Sequence, residues 1–130
     1  MERVTIGGID MTWDPQSRLA TLRFARSTEA KGQDATVLVD ELTGWIGTDD
    51  LPFGLLGDGA NLSGLDAEYR SVWGSFLRAH KDQAYIAFFN MNAFIRIAAE
   101  MFRIGTGLRL KAFVGEAAAR AWLRENGIRA

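Results

Sequence analysis

The run Ala84-Tyr85-Ile86-Ala87-Phe88-Phe89 constrains this chain more than any other stretch, because it has no polar side. In a strand, successive side chains point to opposite faces, so such a run needs cover above and below. It predicts a central strand between two layers. Other segments are half as demanding. Ile9, Met11 and Trp13 alternate with Asp10, Thr12 and Asp14, and Ala20, Leu22 and Phe24 alternate with Thr21 and Arg23. These read as half-buried strands joined by the turn residues Asp14-Pro15-Gln16-Ser17. Val4 and Ile6 are out of phase with Ile9, Met11 and Trp13. That mismatch predicts a broken first strand with a bulge or kink at Gly7-Gly8.

Helical spacing fills the intervals. After a polar stretch from Ser27, Asp34 is the expected N-cap for a helix carrying Ala35, Leu38, Val39, Leu42, Trp45 and Ile46, ended by Gly47. Pro52 to Leu56 reads as a buried strand and Asp58 to Gly64 as a loop. Asp66 is the next expected N-cap, with Tyr69, Val72, Trp73, Phe76 and His80 on one face. A third helix from Asn92 to about Ile104 has an unusually wide apolar set: Phe94, Ile95, Ile97, Ala98, Met101 and Phe102. Leu108, Leu110 and Ala112 alternate on a half-exposed strand at an edge. Gly115 to Asn126 predicts a last helix resting on Ala118, Ala121 and Trp122. The order ββαβαβαβα predicts one α/β domain over residues 1–130, with a five-stranded mixed sheet, an N-terminal hairpin and four helices.

Bulk properties exclude several classes. Fifteen Lys plus Arg against sixteen Asp plus Glu leave a net charge of -1, no footprint for a phosphate backbone, so nucleic acid is not an expected partner. The absence of cysteine removes disulfides and thiolate nucleophiles and fits a reducing compartment. Met1-Glu2-Arg3-Val4 lacks the apolar core of a signal peptide, and no apolar run is long enough to span a bilayer. The expected location is the cytoplasm.

Two stretches carry a family likeness. Leu108 to Phe113 followed by Glu116-Ala117-Ala118-Ala119-Arg120-Ala121-Trp122-Leu123 resembles the closing strand and helix of SpoIIAA-like proteins. Leu56 to Asp66 is similar to the strand and loop of the STAS-like superfamily, where one Asp ends the strand and a second opens the helix eight residues on. With the element order, the chain resembles that superfamily, related in fold to Sec14/CRAL-TRIO domains. The resemblance implies a non-enzymatic regulator working through protein contacts. In STAS regulators the second Asp is followed by a phosphorylatable serine; here Asp66 is followed by Ala67 and Glu68, so that switch does not carry over. Glu68 is first a first-turn acid favourable to the helix dipole.

Catalytic equipment is thin. Gly57-Asp58-Gly59-Ala60-Asn61-Leu62 lacks the third Gly of a dinucleotide loop and no Gly-Lys-Ser/Thr follows. His80 is the only histidine, with no Cys beside it to build a metal site or triad, so neither metal nor cofactor is expected. In open α/β sheets ligands meet the carboxyl ends of the strands. The expected partner surface is therefore Asp58, Asn61, Ser63, Asp66 and Glu68 from one loop with Asn90 and Asn92 from the next, and a homodimer is expected. The alternative is a carrier of a lipid or small apolar ligand, with Phe94, Ile97, Ala98, Met101 and Phe102 lining a groove or a dimer contact.

Overall fold

Gly7 and Gly8 make a reversal, not a bulge. In the computed structural model, which describes residues 1–92, 96 and 107–130, they have φ of 57° and 80°. Paired positive φ is the requirement of a two-residue hairpin turn, which glycine meets without steric cost. β1 (Glu2–Ile6) therefore folds back on β2 (Ile9–Asp14), with Ile6 opposite Ile9 and Val4 opposite Met11. Residues opposite each other share a face, so the apparent phase slip is a change of direction. The Asp14 turn forms as expected: its Oδ1 accepts from the Gln16 amide at 3.0 Å, and β3 (Leu19–Phe24) returns antiparallel to β2.

From β3 onward the sheet is parallel. β5 (Phe53–Asp58), β7 (Ala84–Phe89) and β8 (Leu110–Phe113) add in turn, giving six strands in the order β1-β2-β3-β5-β7-β8. Among the described residues the sheet thus has six strands rather than five, and a separate parallel pair joins β4 (Thr28–Ala30) to β6 (Leu62–Leu65). Both partners of that pair lie in stretches whose polar residues suggest loops. Strands of three and four residues are too short to show a period, and their burial of Thr28, Ala30 and Leu62 depends on each other.

Three helices are found among the described residues. α1 (Gly32–Ile46) begins before the expected cap: Lys31 takes the N-cap position, and Asp34 lies buried in the first turn. Its carboxylate fills the space beside Gly7, where an added Cβ would approach to 2.5 Å. α2 (Ala67–Ala79) is capped by Asp66 as expected, and His80 stands at its C-cap. These two pack on one face over Ile9, Met11, Leu22, Leu55 and Ile86. α3 (Glu116–Glu125) covers part of the other face, over Leu19, Leu56, Ala87 and Phe89. It rests on Ala119 and Leu123, one position later than predicted, leaving Ala118 exposed and Ala121 and Trp122 half-buried. β7 carries side chains into both layers, which accounts for its uniform apolarity. It is an interior strand, one place from the β8 edge. The predicted helix from Asn92 to Ile104 lies outside the described residues except at Asn92 and Arg96, where the Arg96 amide donates to the Asn92 carbonyl at 3.0 Å.

Candidate functional site at the carboxyl ends of the strands

β5 ends on Asp58, which gathers bonds from β3, from its own turn and from the residue after β7. Its Oδ1 accepts from the Ala60 amide at 3.0 Å, turning the chain, and from Asn90 Nδ2 at 3.3 Å. Its Oδ2 accepts from Arg23, one residue before the end of β3, at 3.0 Å. Asn90 follows β7 with φ of 57°, a conformation asparagine tolerates better than most residues. Arg23 also lies 3.7 Å from Glu116, in the first turn of α3, and Glu116 accepts from Arg120 Nε at 2.8 Å. The Arg120 hydrogen bond, with smaller help from Arg23, holds the Glu116 carboxyl below the usual range. The result is a run of alternating charges, Asp58–Arg23–Glu116–Arg120, extended by the neutral amide of Asn90 and joining three strands to α3.

The expected partner surface is only partly assembled here. Asp58 and Asn90 meet. Asp66 does different work: its Oδ1 accepts from the Tyr69 amide at 2.6 Å and its Oδ2 from the Gly32 amide at 3.4 Å, tying the starts of α1 and α2. Glu68 packs its side chain over Gly32, leaving no room there for a Cβ. Asn61 donates to the Phe24 carbonyl at 3.2 Å, Ser63 is exposed on β6, and Asn92 is exposed. Arg23, Glu116 and Arg120 were not foreseen. Arg23 is 35 residues from Asp58 in sequence and reads there as one polar position of a strand; only strand order makes them neighbours.

On the opposite face of the sheet, an apolar cavity of about 90 Å³ lies between sheet and α2, with Leu22, Leu55, Tyr69, Trp73, Met91 and Leu110 in its wall. Trp73 Nε1 is buried there without a hydrogen-bond partner among the described residues. Burial pushes the Tyr69 hydroxyl well above the ordinary tyrosine range; Trp73 offsets a little of that rise, but the two make no hydrogen bond of good geometry. Of the residues assigned to an apolar groove or dimer helix, Phe94, Ile97, Ala98, Met101 and Phe102 all lie outside the described residues. Among the described residues no helix is long and apolar enough to cross a membrane.

No protein-family model matches the chain, and no curated protein matches it in sequence. Its fold, however, is that of known structures. It is similar to a chain in the complex of the diguanylate cyclase SiaD with its activator SiaC from Pseudomonas aeruginosa: TM-score 0.64, 11% identity, covering 88% of this chain and 100% of that one. SiaC of Pseudomonas aeruginosa on its own gives TM-score 0.61 and 12% identity, over 87% of this chain and 100% of SiaC. At such identities the likeness is one of fold: a small mixed-sheet α/β domain of the SiaC kind.

Proposed function

We propose that this chain is a regulatory protein-binding module of STAS/SpoIIAA-like type, meeting its partner through the carboxyl ends of β3, β5 and β7. The observation that carries the reading is the tying of Asp58 by Arg23 and Asn90. A carboxylate accepting from a guanidinium and two N–H groups is well disposed to hold a recognition surface in one shape. The fold is shared with SiaC, an activator of a diguanylate cyclase, and activation by protein contact needs no chemistry in the activator. By analogy the partner is a protein whose activity is set by contact. Ala67, where a phosphorylatable serine stands in STAS regulators, leaves this surface without that covalent switch.

The test is in-cell crosslinking and mass spectrometry of the native chain beside Asp58→Ala and Arg23→Ala. The reading expects a discrete crosslinked protein lost in both variants while their melting temperatures stay close to wild type. An unchanged crosslink pattern would sink it.

A second reading, a carrier of an apolar small molecule, is favoured by the cavity and its unpartnered Trp73 N–H. Its volume ranks it second. Benzene occupies an engineered cavity of roughly 150 Å³, so about 90 Å³ holds less than an aromatic ring unless the wall moves. Native mass spectrometry of protein as purified separates the two readings, since it weighs any retained ligand and counts subunits together. A retained apolar molecule supports the carrier, and an empty chain removes it.

A further inference from the structure

The far edge of the sheet carries a surface that the Asp58 cluster does not use. β8 is the outermost strand, and among the described residues no strand pairs with its free side. Such an edge offers unpaired N–H and C=O groups, and proteins normally blunt it. Here Arg109 and Lys111 point to the α3 side, in register with Tyr85 and Ala87 of β7. The Arg109 guanidinium lies 4.1 Å from the centre of the Tyr85 ring and donates to its hydroxyl at 2.7 Å. Lys111 Nζ lies 5.5 Å from the centre of the Phe113 ring. Trp122 of α3 packs on both Tyr85 and Phe113, with ring centres 6.3 and 5.9 Å away, and all three aromatics are half-buried. Val114, directly after β8, is 85% exposed.

Two features of this strip point to a partner. It combines Trp, Tyr and Arg, the side chains in which binding energy concentrates at protein interfaces, with the exposed Val114 beside them. Its two cations, like most others among the described residues, have no carboxylate within 4.0 Å; Arg109 also donates to the Lys81 carbonyl at 2.7 Å, while Lys111 is exposed. We infer that the β8 edge, with Arg109 and Lys111 beside it, accepts an extended acidic segment of a partner protein as an added strand. Main-chain hydrogen bonds to the free side of β8 supply affinity, and alternate acidic side chains over the two cations supply selectivity. A second copy of this chain is a poor occupant, because two β8 edges would bring their own cations together. This inference deepens the protein-binding reading but stands on different residues.

The probe is a blocked pentapeptide, Glu-Val-Glu-Val-Glu, titrated into the ¹⁵N-labelled full chain, with Lys-Val-Lys-Val-Lys as control. Saturable shifts of the Leu110–Val114 amides are expected with the acidic peptide alone. Lys111→Glu, a change at an exposed position, should weaken binding by about tenfold or more with an unchanged melting temperature. Raised ionic strength should weaken it too. Equal binding of both peptides, shifts centred elsewhere, no shifts, or full affinity in Lys111→Glu would each overturn the inference. If those results come with a crosslinked partner that Asp58→Ala loses, only the β8 inference falls. If the acidic peptide binds at β8 while Asp58→Ala and Arg23→Ala leave every crosslink unchanged, the Asp58 reading falls and this one stands.

Discussion

The end of β5 and the start of α2 each present an aspartate, eight residues apart, and the two have become different devices. Asp58 accepts from the Ala60 amide in its own turn and is also shared among groups from other strands: Arg23 of β3 and Asn90 after β7. Asp66 serves the backbone, accepting from the amides of Tyr69 and Gly32. A bond to a backbone amide at a helix start satisfies a donor that has no partner in the helix, so it stabilises the fold directly. A partly exposed ion pair, with Arg23 46% and Asp58 20% exposed, adds modest stability but sets a surface. Similar residues in one short loop thus divide into a structural part and a recognition part, separated by what they bond to.

That division can be broken. The largest expected effect is on stability from Asp66→Ala, a loss of about 1–2 kcal/mol in urea or thermal unfolding, with partner crosslinks kept. Loss of crosslinks in a still-folded Asp66→Ala would return Asp66 to the recognition surface. Asp58→Ala should cost less than Asp66→Ala, on the order of 1 kcal/mol, because Arg23 is 46% exposed and water replaces much of that pairing, although Asp58 is itself only 20% exposed. Yet it should remove the partner. A double-mutant cycle on Arg23→Ala and Asp58→Ala measures that pairing alone. We expect a coupling of roughly 0.2–1 kcal/mol that shrinks with added salt. A larger coupling, insensitive to salt, would make the cluster a structural one after all.

The smallest effect is a pH dependence. Arg120, then Arg23, lowers the Glu116 carboxyl in the folded chain below its ordinary value of 4.5. A group whose folded pKa is depressed adds stability that is full above the unfolded value and lost as pH falls through the folded one. The stability difference between wild type and Glu116→Gln should therefore be constant near neutrality and shrink as the solution is acidified below 4.5. Urea unfolding at a series of pH values reads it; a difference that grows on acidification would show the ion pairs are misassigned.

Much of the architecture was legible because it rests on local period. The alternation in β2 and β3, the uniform apolarity of β7, the Asp66 cap and the Gly47 stop each depend on residues close in sequence. Errors arose where a pattern had two local readings. Gly7-Gly8 suits a bulge or a hairpin turn, and the register of Val4 with Met11 decides for the turn. Ala118 and Ala119 both suit a helix face in an alanine-rich segment, and packing against Leu56 and Phe89 selects Ala119.

By itself, then, the sequence determined the class of fold: period and capping are properties of neighbouring residues, so they name strands, helices and most of their limits. Only the tertiary structure decided how many strands share the sheet, that β4 and β6 pair apart from it, and that Asp58 stands with Arg23 and Glu116 rather than with Asp66. Those facts depend on strand order and on contacts between residues as far apart as Arg23 and Glu116, and no local pattern in a single chain encodes such a distance.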